Sequence, residues 1–387
     1  MQRLGNGVNR SFTQLCIGPM SKNCVDAAIE LAYQYDIQMV LIASRRQIEC
    51  EELGGGYVNN WTTKSFADYV RSKDPARKII LARDHGGPWQ HPYEVDHYTD
   101  SNDALLSAKL SFRRDIEAGF DILHLDPVFL DNFASPEEKQ KAVLNTIFDL
   151  YEYCIGVSNA LGKTVDFEIG TEEQSISPLS DFAFFENTID RVLEFCDRKK
   201  FPAPLFFVVQ TGTKILEMEN IGEFPSAKEE IKEYFRKYRL ADIVAFCEKR
   251  GIAIKEHNTD YLSNSALQTH PELGIHAANV APEFGVVETE KLLSIMKELD
   301  LHEELSSFIK RCVDSNKWYK WVEDEQAITD VDKTKLCGHY LFADIQVTEI
   351  IDRVRAAYAK KGKDVDHELK DAVKKSILRY LINFNMI

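Results

Sequence analysis

Short apolar runs recur along this 387-residue chain, and most of them end in a charged or polar side chain. Eight such runs lie near residues 14–19, 38–44, 78–84, 121–126, 165–170, 205–210, 252–257 and 274–280. They are nearly continuous rather than alternating, as expected of strands buried on both faces of a parallel sheet. The stretches between them have apolar residues at helical spacing, for example over 23–35, 185–199, 226–250 and 286–313. Ser101–Ala118 opens on Ser-Asn-Asp, good helix caps. Ser135-Pro136-Glu137-Glu138 supplies an N-cap, a proline at the first helical position and acid in the first turn. Regular alternation of strand and helix predicts a parallel sheet with helices outside. Eight strands predict closure into a (β/α)8 TIM barrel, since a doubly wound open sheet usually has about five or six. No GxGxxG follows the first run, which weakens a dinucleotide-binding reading further.

After about residue 314 the pattern changes. Trp318-Tyr319-Lys320-Trp321 and Lys335-Leu336-Cys337-Gly338-His339-Tyr340 precede two amphipathic stretches, 345–360 and 366–382. The expected organisation is a barrel over 1–313 and a helical C-terminal extension over 314–387. Packing against the barrel or a second subunit is the role expected of the extension, with a homo-oligomer as the expected assembly.

Composition changes this picture little. With 44% hydrophobic and 28% charged residues, the chain is ordinary for a soluble globular protein with a large core. A net charge of −15 opposes nucleic acid and anionic membranes as partners. An anionic small molecule would need a local Lys/Arg cluster or a helix N-terminus. No run of ~18 apolar residues predicts a membrane span, and Met1 to Asn6 lack an apolar signal core. The eight cysteines form no CxxC pair, so reduced thiols and a cytoplasmic location are expected rather than a Cys-rich zinc site.

The run ends carry the candidate chemistry, because barrel enzymes place reacting side chains at the C-terminal ends of their strands. Arg83-Asp84-His85-Gly86-Gly87-Pro88 ends the third run; His85 is a candidate metal ligand and Asp84, turned differently by strand alternation, a candidate acid/base. A tight turn with a capping Asp is the plain alternative. Glu256-His257-Asn258-Thr259-Asp260 offers His257 as a second ligand, with Asp260 as its orienting or catalytic carboxylate. Glu168 is a candidate third ligand or proton carrier, and Glu172 a catalytic carboxylate unless it belongs to a solvated loop. Gln210, His276, Asn279 and Arg45 are candidates for holding substrate oxygens or an anion, and His124 and Asp126 read more simply as structural. The cofactor expected is a divalent metal.

Several of these motifs together resemble the larger, so-called non-catalytic subunit family of class II D-tagatose-1,6-bisphosphate aldolases. Asp84-His85-Gly86-Gly87-Pro88-Trp89 is similar to the family's GDHLGPN segment, and Ala118-Gly119-Phe120 through His124-Leu125-Asp126 to its AGFxKIHLD. Ile169-Gly170-Thr171-Glu172 resembles VIGTE, Val208-Val209-Gln210-Thr211-Gly212 resembles VVQPG, and Glu256-His257-Asn258-Thr259-Asp260-Tyr261 resembles EAHSTDY. Gly54-Gly55-Gly56-Tyr57 matches a further segment near the N-terminus, so the resemblance spans nearly the whole chain. It implies a metal-dependent aldolase acting on a sugar phosphate through an enediolate, with His85 on zinc and Asp84 carrying the proton. It also leaves two alternatives: an isomerase or epimerase using the same enediolate, and a non-catalytic subunit stabilising a partner aldolase. The chain departs from the family pattern at Glu173-Gln174-Ser175-Ile176 and at Asn279, which points to a substrate other than tagatose bisphosphate.

Overall fold

A computed structural model describes residues 11–98, 100–129, 133–170, 177–179 and 181–387. Eight parallel strands close a barrel: β1 (Gln14–Ile17), β2 (Met39–Ser44), β3 (Ile79–Gly86), β4 (Ile122–Leu125), β5 (Asp166–Ile169), β6 (Phe206–Val209), β7 (Ala253–Glu256) and β8 (Ala277–Val280). Each pairs with its sequence neighbour, and β8 closes on β1 with Gln14 opposite Ala277. A two-stranded ribbon, Ile215–Leu216 with Glu219–Asn220, decorates the connection after β6. The (β/α)8 fold expected from the strand count is the fold observed.

Strand alternation sorts the side chains. Val40 and Ile42 of β2, Ile80 and Ala82 of β3, Ile122, Phe206, Ala253 and Ala277 fill the lower lumen as one apolar plug. Their neighbours in sequence, such as Leu41, Leu81, Leu123, Phe167 and Ile254, face outward into the main core under the helices. The next inward positions above the plug are Asp84, His124, Glu168, Lys255 and Asn279. The floor of the site is therefore set by counting two residues up each strand. The outward charged residues are structural. Arg83 is fully buried and forms two hydrogen bonds, 2.6 and 2.8 Å, to Asp115 of α4 (Ser101–Ala118). Glu256 holds His270 of α9 (Asn264–Leu273) at 2.7 Å.

The C-terminal region is fused to the barrel through two cores. Helices α10 (Pro282–Glu298), α11 (His302–Asp314), α12 (Asp330–Cys337) and α13 (Ile345–Ala359) share an apolar cluster that includes Met296, Phe308, Cys312, Leu336, Val347 and Val354. The last helix, α14 (Val365–Asn383), returns to the barrel, and its Val373, Ile377, Tyr380 and Leu381 join the main core. The boundary expected at 313/314 thus falls at the end of α11, whose Phe308 and Cys312 pack with residues beyond it. Among the described residues no helix is long and apolar enough to cross a membrane, and all eight cysteines are buried thiols that form no disulfide.

Candidate active site

The end of β3 carries the densest chemistry. Asp84 points into the barrel by alternation, and His85 should then point out. It does not, because its backbone takes the left-handed region at φ 45°. That conformation costs a non-glycine residue on the order of 1–3 kcal/mol, and such strain is typical of functional sites. It turns consecutive side chains to the same side, with His85 Nε2 at 3.7 Å from Asp84 Oδ2. Gly86 follows because a Cβ there would lie 2.5 Å from the Phe112 ring and 2.7 Å from the His124 carbonyl oxygen.

Neighbouring strands complete the cluster. Asp126, just past β4, sits 2.7 Å from His85 Nδ1 and accepts a hydrogen bond of 2.8 Å from Gln90. The Nδ1 of His124 accepts the His85 backbone N–H at 3.1 Å and lies 3.5 Å from Asp84 Oδ1. From β5, Glu168 receives Lys255 Nζ at 2.7 Å and meets His257 Nε2 at 3.3 Å. Asn279 of β8 donates to Asp84 at 3.3 Å across the barrel mouth. The rings of His85 and His124 lie 5.1 and 5.3 Å from that of His257, both edge-on.

These groups are mutually compensating charges in a buried site. Burial opposes the charged form of Asp84, but His85 first, then His124 and His257, hold it far below the usual carboxylate range. Burial also works against His85 as a cation, yet Asp84 and then Asp126 push it up to about 9. Glu168 is pulled down to about 2, burial being outweighed chiefly by Lys255. The Lys255 ammonium is raised against burial by Cys16 and Glu168. Burial lowers His257.

The donor set suits a divalent cation. Asp84, His124 and His257 form one group, and His85, His124 and Asp126 another, each with its ligand atoms within 4.8 Å of one another. Imidazole and carboxylate together are the ligands of zinc-type sites. His124 Nε2 is buried without a hydrogen-bond partner among the described residues, and buried polar atoms are as a rule partnered.

The structure gathers some of the expected site residues and removes others. Asp84, His85, His257, Glu168 and Asn279 converge. Arg45 is no substrate ligand: it is fully buried, with Glu49 at 2.7 Å, Glu94 at 2.6 Å and the Gly87 carbonyl at 3.0 Å. His276 lies at the opposite, N-terminal end of β8, where its Nδ1 accepts from the Ile254 backbone at 3.2 Å. The apolar run from 274 predicts an earlier strand start, but the strand begins at Ala277. Asp260 does not orient His257 through any described hydrogen bond. Its Oδ1 accepts the Ala281 and Glu283 backbone N–H groups at 3.0 and 2.9 Å, capping α10. Gln210 is buried just past β6, where its backbone carbonyl accepts the Leu179 N–H at 2.9 Å, and it does not line the cavity below. Glu172 lies outside the described residues. Sequence reasoning undervalued His124, Asp126 and Lys255. Their signal was the period of two that Ile122, His124 and Asp126 share with Ala253, Lys255 and His257.

Above this floor opens a cavity of about 790 Å³, lined below by Asp84, His85, His257 and Asn279 and along one wall by Arg46, Lys317, Lys320, Trp321 and Tyr340. A cavity of this size suits a small organic ligand. Tyr319–Trp321 form a short 3-10 turn, so the extension expected only to pack also walls the cavity.

No family model matches the chain, and no curated protein matches it. Solved structures share its fold. A probable tagatose 6 phosphate kinase from Sinorhizobium meliloti 1021 superposes with a TM-score of 0.74 at 16% identity, over 96% of this chain and 100% of that one. The fructuronate-tagaturonate epimerase UxaE from Cohnella laeviribosi superposes with a TM-score of 0.56 at 10% identity, over 97% of this chain and 82% of that one. At these identities the likeness establishes the barrel and its extension, and the chemistry rests on the residues.

Proposed function

We propose that this chain is a metal-dependent sugar-processing enzyme of the class II aldolase kind, cleaving a C–C bond of an anionic ketose through an enediolate. The observation that carries this reading is the convergence of His85, His124 and His257 with Asp84 and Asp126 at the C-terminal mouth of the barrel. The resemblance of Asp84-His85-Gly86-Gly87-Pro88 and its companion motifs to the tagatose-bisphosphate aldolase subunits supports it, as does the sugar-related naming of the structures that share the fold.

His85, His124 and His257 would hold the cation, with Asp126 fixing the ring of His85 by its contact to Nδ1. When bound, a divalent cation polarises a carbonyl and stabilises the negative charge of an enediolate. Asp84 is ionised, faces the cavity and is positioned by Asn279, so it can take the proton of a substrate hydroxyl and return it to carbon. Lys255 neutralises Glu168 beneath, which lets a second carboxylate lie close to Asp84 without repelling it. Lys255 does not suit a Schiff-base nucleophile, because such a lysine needs a depressed pKa and Glu168 raises this one.

Metal analysis of the purified protein beside His85→Ala and His257→Ala tests the ligand assignment; full metal content in both variants would overturn it. Product analysis by NMR on a panel of ketose phosphates tests the chemistry. Release of two shorter carbonyl compounds is expected. Exchange of a carbon-bound proton with an intact carbon chain would instead assign an epimerase or isomerase. No turnover by the isolated, metal-loaded chain would leave it a subunit of a partner aldolase.

A further inference from the structure

Barrel enzymes that bind phosphorylated substrates commonly hold the phosphate after strands 7 and 8, at the N-terminus of a helix there. In this chain that corner is already filled by its own carboxylates. Asp260 occupies the α10 N-terminus, accepting the N–H groups of Ala281 and Glu283 at 3.0 and 2.9 Å. Glu283 is buried beside it, taken by Tyr380, by Ser376 at 3.0 Å and by the Tyr261 backbone N–H at 2.9 Å. Burial, and then the nearby Glu283, push Asp260 up to about 8, and Arg379 Nη1 lies 3.5 Å from Glu283. A further anion there would have to displace Asp260 from the Ala281 and Glu283 N–H groups.

Another part of the same cavity's lining has the reverse character. Arg46 follows β2, and Lys317 and Lys320 come from the segment between α11 and α12. None of the three makes an ion pair among the described residues, although the chain carries a net charge of −15 and many of its other cations are paired. Lys320 Nζ lies over the rings of Trp321 and Tyr340, 4.7 and 5.3 Å from their centroids. Lys317 Nζ donates to the Tyr340 carbonyl at 3.4 Å. Burial first, then Arg46 and Lys317, push the Lys320 ammonium down to about 8. Like charges gathered in a cavity wall repel one another, and an anion placed among them relieves that repulsion.

We propose that Arg46, Lys317 and Lys320 form the binding site for a terminal phosphate of the substrate, supplied by the C-terminal extension in place of the helix corner after β8. This rests on the reading of the floor as the reacting centre: a ketose whose carbonyl lies over His85 and His257 would reach the wall with its far end. Phosphate fits better than a carboxylate, because a dianion matches several cations and arginine can grip phosphate through two parallel N–H bonds.

Isothermal titration with inorganic phosphate, glycerol 3-phosphate and glycerate tests it on the metal-loaded full chain and on R46Q, K317Q and K320Q. All three side chains are exposed, so the variants should fold, and thermal unfolding checks that they do. Expected is phosphate and glycerol 3-phosphate binding that weakens about tenfold for each single variant and falls as salt is raised, with metal content unchanged. K320R should restore most of the loss. Unaltered phosphate affinity in all three variants would overturn the assignment, as would glycerate binding as tightly as glycerol 3-phosphate. Metal content reports on the floor independently, so loss of metal in H85A with intact phosphate binding, or the converse, separates a failure of one region from a failure of the other.

Discussion

The floor and the wall of the cavity are built in opposite ways. The floor is made by strand ends, is almost wholly buried, and consists of carboxylates and imidazoles paired with one another and with Lys255. The wall is made by loops and the extension, and presents exposed cations beside half-buried aromatic rings, with no ion pair to those cations among the described residues. Groups that must hold a cation and move protons need fixed positions within tenths of an ångström, which a closed sheet supplies. A recognition surface tolerates mobility and can be added later in the chain. The contrast yields a rule for perturbation: changes in the floor should cost rate or stability, and changes in the wall should cost affinity alone.

The sharpest break is at Asp84. Asp84→Asn keeps the shape and can keep a hydrogen bond with Asn279, but removes the ionisable group. Turnover should fall about 10²–10⁴-fold, the usual worth of a general acid/base, with metal content little changed. Turnover within a few-fold of the parent protein would make Asp84 a turn-capping residue and remove the strongest local support for the proposed chemistry.

Lys255 tests the floor through stability. Lys255→Met leaves Glu168 buried with only imidazole partners, and removing one partner of a buried pair typically costs about 3–5 kcal/mol. Chemical denaturation should show this, and adding Glu168→Gln should recover much of it. A loss below about 1 kcal/mol would mean the pair is solvated in solution.

Glu288 probes the seam between the barrel and its C-terminal helices. It is buried on α10, accepts from Asn23 at 2.8 Å and from Ser21, and is pushed up to about 7, mainly by burial. The folded state therefore binds an extra proton between the ordinary carboxylate range and about pH 7. Stability should fall as pH rises through that window, by on the order of 1–3 kcal/mol. Glu288→Gln should flatten this slope in pH-resolved unfolding; an unchanged slope would assign it to other groups.

The smallest stability effect belongs to the wall. Lys320→Gln should move the unfolding midpoint by no more than an exposed substitution does, within about 0.5 kcal/mol. A larger loss would show the cation to be a structural part of the extension, and would erase the contrast between wall and floor.

Much of the floor was legible in the sequence because it obeys a local rule. Each strand is an apolar run with a period of two, so Ile80 and Ala82 point to Asp84, and Ala253 points to Lys255 and His257. The same rule, applied strictly, would have found His124 and moved His276 to the far end of the barrel, where strand β8 starts. It failed at His85, whose left-handed backbone breaks alternation for a reason no pattern of residue types carries. Arg45 misled because a charge after a strand looks the same in sequence whether it faces solvent or a buried pair of glutamates.

By itself, then, the sequence determined the eight strands, the helices between them and the chemistry gathered at one end of the barrel. These follow from hydrophobic periodicity, which is written in residues close along the chain. Only the tertiary structure decided which of those groups meet. Glu168 and Lys255 are 87 residues apart and touch because the barrel closes. Arg46 shares a cavity with Lys317 and Lys320 because α14 folds back on the barrel and the helices before it pack into a second core. Contacts over such separations depend on how whole elements pack, and packing is a property of the assembled core rather than of any window of sequence.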